Sequence, residues 1–368
     1  MGLSVGIVGL PNVGKSTLFN ALTSARALAA NYPFATIEPN TGIVPVPDPR
    51  LEEIATYIKT ERIVPATIEV VDIAGLVKGA SQGQGLGNQF LGHIRAVDAV
   101  LHVVRCFDSP DIVHVDGSVD PARDAEIVEL ELVLADLESA ERQLEKAKRA
   151  AQQRDPEAIQ KAAALEPMVA RLREGKPARL ALADLDANAQ RLAKSFGLLT
   201  AKPMLYVANV DERDPLGEQS QHVARLRAWA QERGEAVVAI SAAIEAEIAQ
   251  LESVEERREF LAALGLEESG LARLSRAAYR LLGLQSFFTA GPKEVRAWTI
   301  PIGARAPQAA GVIHSDFERG FIRAEVYTLD DLRTYKTEAA IRAAGRLRAE
   351  GKEYIVQDGD IMHFLFSV

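Results

Sequence analysis

The feature that most constrains this chain of 368 residues is a glycine-bounded loop between a short apolar strand and a helix. Residues 4–8 are an apolar run typical of a buried parallel strand, and a helix is predicted from Lys15. The loop between them reads Gly-Leu-Pro-Asn-Val-Gly-Lys-Ser, from Gly9 to Ser16. This order of strand, loop and helix is the context that a phosphate-binding P-loop requires. An incidental glycine-rich turn is the less favoured alternative.

The residues of this loop have the chemistry needed to hold a nucleoside triphosphate. Its two glycines allow successive N–H groups to point at phosphate oxygens, and the dipole of the following helix favours the same anion. Lys15 is expected to reach the β- and γ-phosphates and to stabilise charge during catalysis. The Ser16 hydroxyl is expected to ligate Mg²⁺.

Two further segments are expected to complete the magnesium site. Thr36 lies about twenty residues past the loop in a proline-bounded stretch, where a small GTPase supplies a second Mg²⁺ hydroxyl. A plain turn threonine is the alternative. Asp72 ends a predicted strand at 68–72 and suits the acid that holds Mg²⁺ directly or through water, and Gly75 is expected to offer its N–H to the γ-phosphate.

The catalytic water has no obvious partner in this sequence. Leu76 stands where Ras-like GTPases carry the glutamine that orients the attacking water. Hydrolysis must therefore rely on positioning, on metal charge or on a polar group from elsewhere. Residues 77–88 are rich in glycine and predict a long switch. His93 follows as a candidate catalytic residue, although a lone histidine is more often structural.

A motif far downstream predicts which base is bound. A strand is expected to end at Asn209, where a GTPase has Asn-Lys-x-Asp, but Val210 and Glu212 replace the lysine and the aspartate. Glutamate is one methylene longer and cannot keep both hydrogen bonds to guanine without backbone movement, so adenine is admitted. An ordinary strand-end turn is the alternative. After another predicted strand, Ser241 and Ala242 are expected to close over the base.

Four segments together resemble the YchF / Obg-like ATPase family, and the resemblance runs from Gly2 to the C-terminus. They are Gly-Leu-Pro-Asn-Val-Gly-Lys-Ser at 9–16, Asp-Ile-Ala-Gly-Leu-Val-Lys-Gly-Ala at 72–80, Gly-Leu-Gly-Asn-Gln-Phe-Leu-Gly-His at 85–93 and Asn-Val-Asp-Glu at 209–212. The resemblance implies an ATPase in the Obg branch of translation-factor GTPases. It also implies a coiled-coil insertion, a C-terminal TGS domain and association with ribosomes, with the large subunit and its rRNA as the suspected contacts.

The same resemblance implies roles for individual residues. Phosphate contacts fall on Asn12, Val13, Gly14, Lys15, Ser16 and Thr17, and Mg²⁺ falls on Ser16 and Thr36. Base contacts fall on Asn209 and Val210, and Phe107 matches a position that helps to form an apolar pocket for adenine. Asn12 matches the residue with which some relatives coordinate K⁺, an ion that could supply transition-state charge.

Composition limits the classes of protein that this chain can belong to. It is 48% hydrophobic and 25% charged, which is ordinary for a soluble protein of two or three domains. No stretch comes near the roughly 18 apolar residues of a membrane span, and no secretion signal is visible at the N-terminus. The single cysteine, Cys106, excludes an internal disulfide and suits a reducing cytoplasm. The net charge of −9 argues against bulk nucleic-acid binding, so we expect no DNA and only local RNA contacts.

The pattern of predicted elements divides the chain into three parts. Residues 1–120 and 197–284 are expected to form a nucleotide-binding α/β domain with a doubly wound, mostly parallel sheet. Residues 121–196 are expected to be a helical insertion that forms an antiparallel coiled-coil hairpin. Residues 285–368 are expected to be a β-grasp TGS domain.

The insertion shows a repeating apolar stripe. Its first helix carries the stripe Ile127, Leu130, Leu134, Leu137 and Leu144, and its second carries Leu165, Met168, Val169 and Leu172. Asp155 and Pro156 predict the break between the helices. The far end is basic, with Arg142, Lys146, Lys148, Arg149, Arg154 and Lys161. This predicts either a local RNA contact or a solvated helix face, and a solvated face is the more common case.

In the last part, strands are predicted at 295–300, 311–313, 321–327, 354–356 and 361–366, with one helix at about 328–342. His314 and His363 lack partners at metal-ligand spacing, so no metal is assigned to them.

Three functions remain open from the sequence. The first is a ribosome-associated switch that hydrolyses ATP slowly with Mg²⁺. The second is a nucleotide-dependent RNA- or ribosome-binding module with incidental hydrolysis, which Leu76 favours. The third is a GTPase, which the motif at 209–212 argues against.

Overall fold

The computed structural model describes residues 3–24, 40–73, 86–110, 112, 114 and 117–367, with only the backbone of 86–88. Thr36, Gly75, Leu76 and most of the predicted glycine-rich switch lie outside these residues. Among the described helices, none is long and apolar enough to cross a lipid bilayer.

The described residues form twelve strands and fourteen α-helices. The strands are β1 Ser4–Val8, β2 Thr41–Val46, β3 Ile63–Val64, β4 Ala66–Asp72, β5 Ala99–Arg105, β6 Met204–Asn209, β7 Ala236–Ile240, β8 Leu284–Ala290, β9 Val295–Pro301, β10 Phe321–Tyr327, β11 Arg348–Glu350 and β12 Ile361–Phe366. The helices are α1 Lys15–Ser24, α2 Pro49–Tyr57, α3 Leu86–Ala96, α4 Pro121–Ala151, α5 Pro156–Arg173, α6 Ala187–Ala193, α7 Gln221–Gln231, α8 Ala242–Ile248, α9 Val254–Ala263, α10 Gly270–Leu281, α11 Ala306–Ile313, α12 Ser315–Arg319, α13 Leu329–Tyr335 and α14 Glu338–Ala343.

The chain divides into two compact units. One consists of residues 1–43 and 69–278, and the other of residues 44–68 and 279–368. The separation of the chain into three domains is not tested by this division and stays a prediction. That residues 44–68 belong with the C-terminal part of the chain was not anticipated from the sequence.

The first unit is built on a sheet with the strand order β2-β4-β1-β5-β6-β7. Strand β1 runs parallel to β4 and β5, and β5, β6 and β7 continue the parallel arrangement. Every residue of β1, β5 and β6 is buried, as expected for central parallel strands. The carboxyl ends of these strands meet at one edge of the sheet, where ligands bind in folds of this class. The predicted P-loop α/β fold is confirmed.

Cys106 directly follows β5 and is buried. Burial raises the pKa of its thiol above the usual value, which disfavours the reactive thiolate.

Helices α4 and α5 pack against each other in the first unit. Asp155 caps α5 by accepting a hydrogen bond from the Glu157 N–H, and Pro156 occupies its first turn, so the predicted break is confirmed. The distal half of α4 and the part of α5 from Ala162 to Leu172 share an apolar cluster. The predicted stripe of α5 is buried throughout.

The predicted stripe of α4 is wrong at two positions. Leu130 and Leu134 are 44% and 47% exposed. The buried face instead runs through Val128, Leu132, Val133, Asp136, Ala140 and Leu144. The predicted stripe misplaces this face because an alanine and a hydrogen-bonded carboxylate occupy interior positions that a search for large apolar residues passes over.

The Asp136 carboxylate is buried, and both of its oxygens accept hydrogen bonds. It accepts hydrogen bonds from the Leu199 N–H at 2.8 Å, the Thr200 N–H at 2.7 Å and the Thr200 hydroxyl at 2.6 Å. Burial raises the pKa of Asp136, and these donors oppose that rise. The carboxylate fixes the chain just before β6 onto α4.

Besides Asp136, the buried carboxylate of Glu129 also joins α4 to the edge of the sheet. Glu129 of α4 pairs with Arg179 and, at 3.2 Å, with Arg233, which lies just beyond the end of α7. Arg179 also pairs with Glu235, directly before β7. The Tyr206 hydroxyl donates to Glu129 at 3.4 Å from the centre of β6. We call Glu129, Arg179, Tyr206, Arg233 and Glu235 the charge cluster.

The second unit is built on a mixed sheet with the order β11-β10-β12-β8-β9-β3. Strands β8 and β9 form an antiparallel hairpin, β12 lies parallel to β8, and β10 is antiparallel to β11 and β12. The segment 44–68 supplies the edge strand β3, which pairs parallel to β9, and the helix α2. Arg50 in α2 binds Asp48 and Asp358, and Arg333 binds Glu53 through two hydrogen bonds.

Three local predictions for this unit are wrong. Residues 311–313 end helix α11, because Ala306, Ala309 and Ala310 form a buried helical face before them. Residues 354–356 form no strand, and Ile355 makes a single bridge to Arg305. The predicted helix at 328–342 is two helices, since Lys336 adopts a left-handed conformation with φ 66° between them.

We expect the substitution Asp136→Ala to lower the free energy of unfolding by about 3 kcal/mol, because two buried backbone N–H groups lose their acceptor. Asp136→Asn should cost less, since the amide oxygen can still accept. Urea unfolding of both variants measures the effect. Glu138→Ala, an exposed position on the same helix, is the control. A loss for Asp136→Ala no larger than that of the control would contradict the assignment.

Candidate functional site

The phosphate loop has a backbone that only particular residues tolerate. Gly9 has φ +155° and a Cβ there would lie 2.4 Å from the Val103 carbonyl oxygen, while Gly14 has φ +96° and a Cβ there would lie 2.3 Å from Asn209 Nδ2. Asn12 also has a positive φ, 60°, which asparagine accepts more readily than most residues. The loop therefore lies directly against β5 and the end of β6.

Lys15 and Asp72 form the electrostatic centre of the loop. Lys15 is buried, and its ammonium donates to the Leu10 carbonyl oxygen at 2.7 Å. Burial lowers the pKa of Lys15, and the carboxylate of Asp72 opposes this. Burial likewise raises the pKa of Asp72, and the positive charge of Lys15 opposes this rise. Each group therefore stabilises the charged form of the other at the edge where β1 and β4 end.

The described part of the predicted magnesium site has oxygen donors only. Ser16 is exposed at the start of α1, and Asp72 is half-buried at the end of β4. The described residues contain no cluster of three or more His, Cys, Asp or Glu side chains that could hold a metal. One hydroxyl and one carboxylate fit Mg²⁺, which keeps several waters and binds together with substrate phosphates. Thr36 lies outside the described residues.

The Asn209 side chain joins three segments of the site. Its Nδ2 donates to the Val13 carbonyl oxygen at 2.9 Å, and its Oδ1 accepts from the Ala242 N–H at 3.0 Å. The amide is buried. It therefore holds the phosphate loop, the end of β6 and the turn between β7 and α8 at fixed distances. Ser241 caps α8 by accepting from the Ile244 N–H at 3.5 Å.

A cleft of about 720 Å³ opens beside the phosphate loop. The predicted residues that line it are Asn12, Gly14, Thr17, Phe107, Asn209, Val210, Glu212 and Ala242. Val210 is buried and Glu212 is exposed. The structure thus brings the predicted phosphate-binding and base-binding residues to one cavity.

The remaining predicted residues lie elsewhere or are not described. Val13 is buried in the loop, and Lys15 and Ser16 follow it at the start of α1. His93 is exposed near the end of α3. Gly75 lies outside the described residues. The roles assigned to all of these residues stay predictions.

Sequence reasoning missed part of the cleft wall. Asp108, Ser109, Pro110, Ile112 and Arg213 also line the cavity. The buried Arg105 lies behind this wall and donates to its carbonyl oxygens. The available signal was an arginine at the end of a strand that is apolar except for His102, where a buried cation needs nearby acceptors.

Comparison with known proteins identifies relatives over the whole chain. The family model described as "50S ribosome-binding GTPase" matches residues 4–141, and YchF-GTPase_C, described as a protein of unknown function, matches residues 284–367. A protein of Escherichia coli O157:H7 named ribosome-binding ATPase YchF is 54% identical over 368 residues, with 100% of each chain covered. The Bacillus subtilis protein of the same name is 51% identical over 371 residues, again with 100% of each covered.

A solved structure is similar as well. The Schizosaccharomyces pombe YchF GTPase superposes with a TM-score of 0.88 at 42% identity, covering 99% of this chain and 98% of the other. The names of these three relatives differ in the nucleotide they specify, since two are called ATPases and the third is called a GTPase.

We expect Asn209→Asp to weaken nucleotide binding by at least about tenfold, because an acceptor then faces the Val13 carbonyl oxygen where a donor is required. The change keeps the shape of the side chain and its bond to the Ala242 N–H. Calorimetric titration with Mg·ATP measures the affinity. Asn188→Asp adds the same charge at an exposed position of α6 and is the control. Equal affinities for the two variants would show that the amide is dispensable.

Proposed function

Because this chain belongs to the YchF family, we propose that it is a ribosome-associated ATPase. It is a P-loop NTP hydrolase, and in this proposal it hydrolyses ATP slowly with Mg²⁺ as a translation-linked switch. The observation that carries the proposal is the cleft that Asn209 ties to the phosphate loop, whose base-contacting motif lacks the lysine and aspartate of guanine sites.

Catalysis in this proposal is largely electrostatic. The buried Lys15 ammonium and the loop N–H groups stabilise the charge that develops on the γ-phosphate as water attacks. Ser16 and Asp72, with Thr36, hold Mg²⁺, which when bound neutralises phosphate charge. Gly75 offers its N–H to the γ-phosphate. Water is positioned by His93 or by a partner, since Leu76 cannot do so.

Base selection in this proposal depends on the shape of the cleft more than on hydrogen bonds. Val210 adds an apolar surface where a guanine site has a lysine stem, and Phe107 adds an aromatic one. Glu212 lines the cleft from an exposed position, one methylene too long for the bidentate contact to guanine. Adenine stacks on these apolar and aromatic surfaces, and this stacking requires no hydrogen bonds to the edge of the base.

The finer assignments belong to the same proposal. Helices α4 and α5 act as an antiparallel coiled-coil arm, and the second unit is a TGS module of β-grasp type. The large subunit and its rRNA are the ribosomal contacts, which locates the protein in the cytoplasm. Asn12 binds K⁺ near the phosphates.

The basic end of the α4–α5 arm supports an RNA contact only weakly. Each of the residues Arg142, Lys148, Arg149 and Lys161 pairs with a neighbouring glutamate. Such pairs reduce the positive potential that phosphate would meet. Ribosome contact therefore need not reside in this patch.

Turnover measured with and without ribosomes separates the switch from a binding module. We expect ribosomes to raise the ATP turnover rate at least about tenfold, since an added charge or positioning group acts directly on the transition state. The assay is run in K⁺ and in Na⁺ at equal ionic strength, and K⁺ should give the higher rate. Flat, minimal turnover in all four conditions would favour the module with incidental hydrolysis.

The base preference is tested by restoring the guanine motif. We expect Val210→Lys combined with Glu212→Asp to shift the ratio of GTP to ATP affinity towards GTP by at least about tenfold. Calorimetry with Mg·ATP and Mg·GTP on both proteins measures the ratio, and Glu218→Asp, exposed and outside the cleft lining, is the control. An unchanged ratio in the double variant would refute the account of base recognition. Tighter GTP binding by the unmodified protein would make it a GTPase.

A further inference from the structure

Arg105 organises the chain that follows β5. Its guanidinium donates to the carbonyl oxygens of Phe107 at 3.0 Å and Ile112 at 2.9 Å, with a longer contact to Ser109 at 3.4 Å. The residue is 2% exposed. The guanidinium carbon also lies 4.7 Å from the centre of the Phe107 ring. One buried side chain therefore holds three points of the segment and one face of its aromatic ring.

This segment forms one wall of the base cleft. The described residues Phe107, Asp108, Ser109, Pro110, Ile112 and His114 are here called the strap, and the first five of them line the cavity. Since Arg105 covers one side of the Phe107 ring, a base in the cleft can contact only its opposite face or its edge. The position of the ring is therefore set from behind by Arg105.

The other end of the strap is fastened to helix α4. His114 Nε2 lies 2.7 Å from Asp124 Oδ2, and the two side chains are 6% and 2% exposed. Asp124 belongs to the first turn of α4 and also binds Arg123 at 3.0 Å. Arg123 in turn donates to the Ser118 carbonyl oxygen at 2.6 Å. The strap thus ends on the first turn of a helix that extends for about 46 Å.

We propose that the strap is a specificity element that couples the first turn of α4 to the affinity for the base. Arg105 and Asp124 are its positioning residues. The proposal rests on the proposed function, in which the cleft holds adenine. The phosphate loop has its own supports, in Asn209 and in the close packing of Gly9 and Gly14. Releasing the strap therefore removes base contacts and leaves the phosphate contacts in place.

The test compares two ligands that differ in the nucleoside. Calorimetry gives the Kd for Mg·ATP and for Mg·tripolyphosphate, and their ratio measures what the nucleoside contributes. Arg105→Lys keeps the positive charge but cannot bridge the strap carbonyls. Asp124→Asn keeps the shape of the side chain but loses its charge. Both should reduce the nucleoside contribution about tenfold, or about 1.4 kcal/mol, with tripolyphosphate affinity unchanged.

The control is Arg179→Lys, which alters another arginine that contacts α4 away from the strap and whose side chain is 9% exposed. It should lower stability without changing the ratio of the two Kd values. If Arg105→Lys does not fold, Asp124→Asn alone decides the question.

Two results would overturn the proposal. Equal losses for both ligands would mean that the strap variants act only through general structure. A nucleoside contribution that survives in the strap variants would mean that the wall is set by other residues. If the unmodified protein bound tripolyphosphate as tightly as ATP, the base cleft of the proposed function would itself be wrong.

Discussion

The two hydrogen bonds of the Asn209 amide are the interaction on which the site depends. A phosphate loop and a base cleft are useful only at a fixed separation, and here one buried amide spans them, donating to Val13 and accepting from Ala242. Parallel pairing of β5, β6 and β7 delivers the two sides of this contact to one edge. Gly14 is required because the amide leaves no room for a side chain above it. The order of the strands, the glycine at position 14 and the position of the cleft are therefore all tied to the contact that the Asn209 amide makes.

The parts of the fold predicted from sequence are those with local causes. The central strands are continuous apolar runs, and the loop from Gly9 to Ser16 has a spacing with a definite stereochemistry, so both were anticipated. The break at Asp155 was predicted because capping and proline act over a few residues. Among the cleft residues, the motif at 209–212 was recognised from its place at the end of a predicted strand, whereas Phe107 came from the family resemblance alone.

The parts that were missed depend on distant partners. Arg105 donates to carbonyl oxygens that come close to it only in the folded chain, so no spacing of residues in the sequence predicts its role. The exposure of Leu130 and Leu134 follows from which face of α4 is buried, and that face includes Asp136 and Ala140, which a search for large apolar residues passes over. Segment 44–68 was assigned to the nucleotide domain because it is contiguous with it, whereas Arg50 and Arg62 form ion pairs with residues beyond 290. Local patterns do not report pairings of this range.

The charge cluster has a consequence for how the chain folds during its synthesis. Glu129 and Arg179 emerge early, while Arg233 and Glu235 are added more than fifty residues after Arg179. Buried charges without their partners are strongly destabilising. Before β7 is reached, Glu129 and Arg179 can form only their mutual ion pair, while the contacts of Glu129 to Arg233 and of Arg179 to Glu235 are still missing. A nascent chain that stops before Arg233 therefore holds one of the three ion pairs that join these residues, and the fastening of α4 to the sheet edge is completed only as β7 begins to be synthesised.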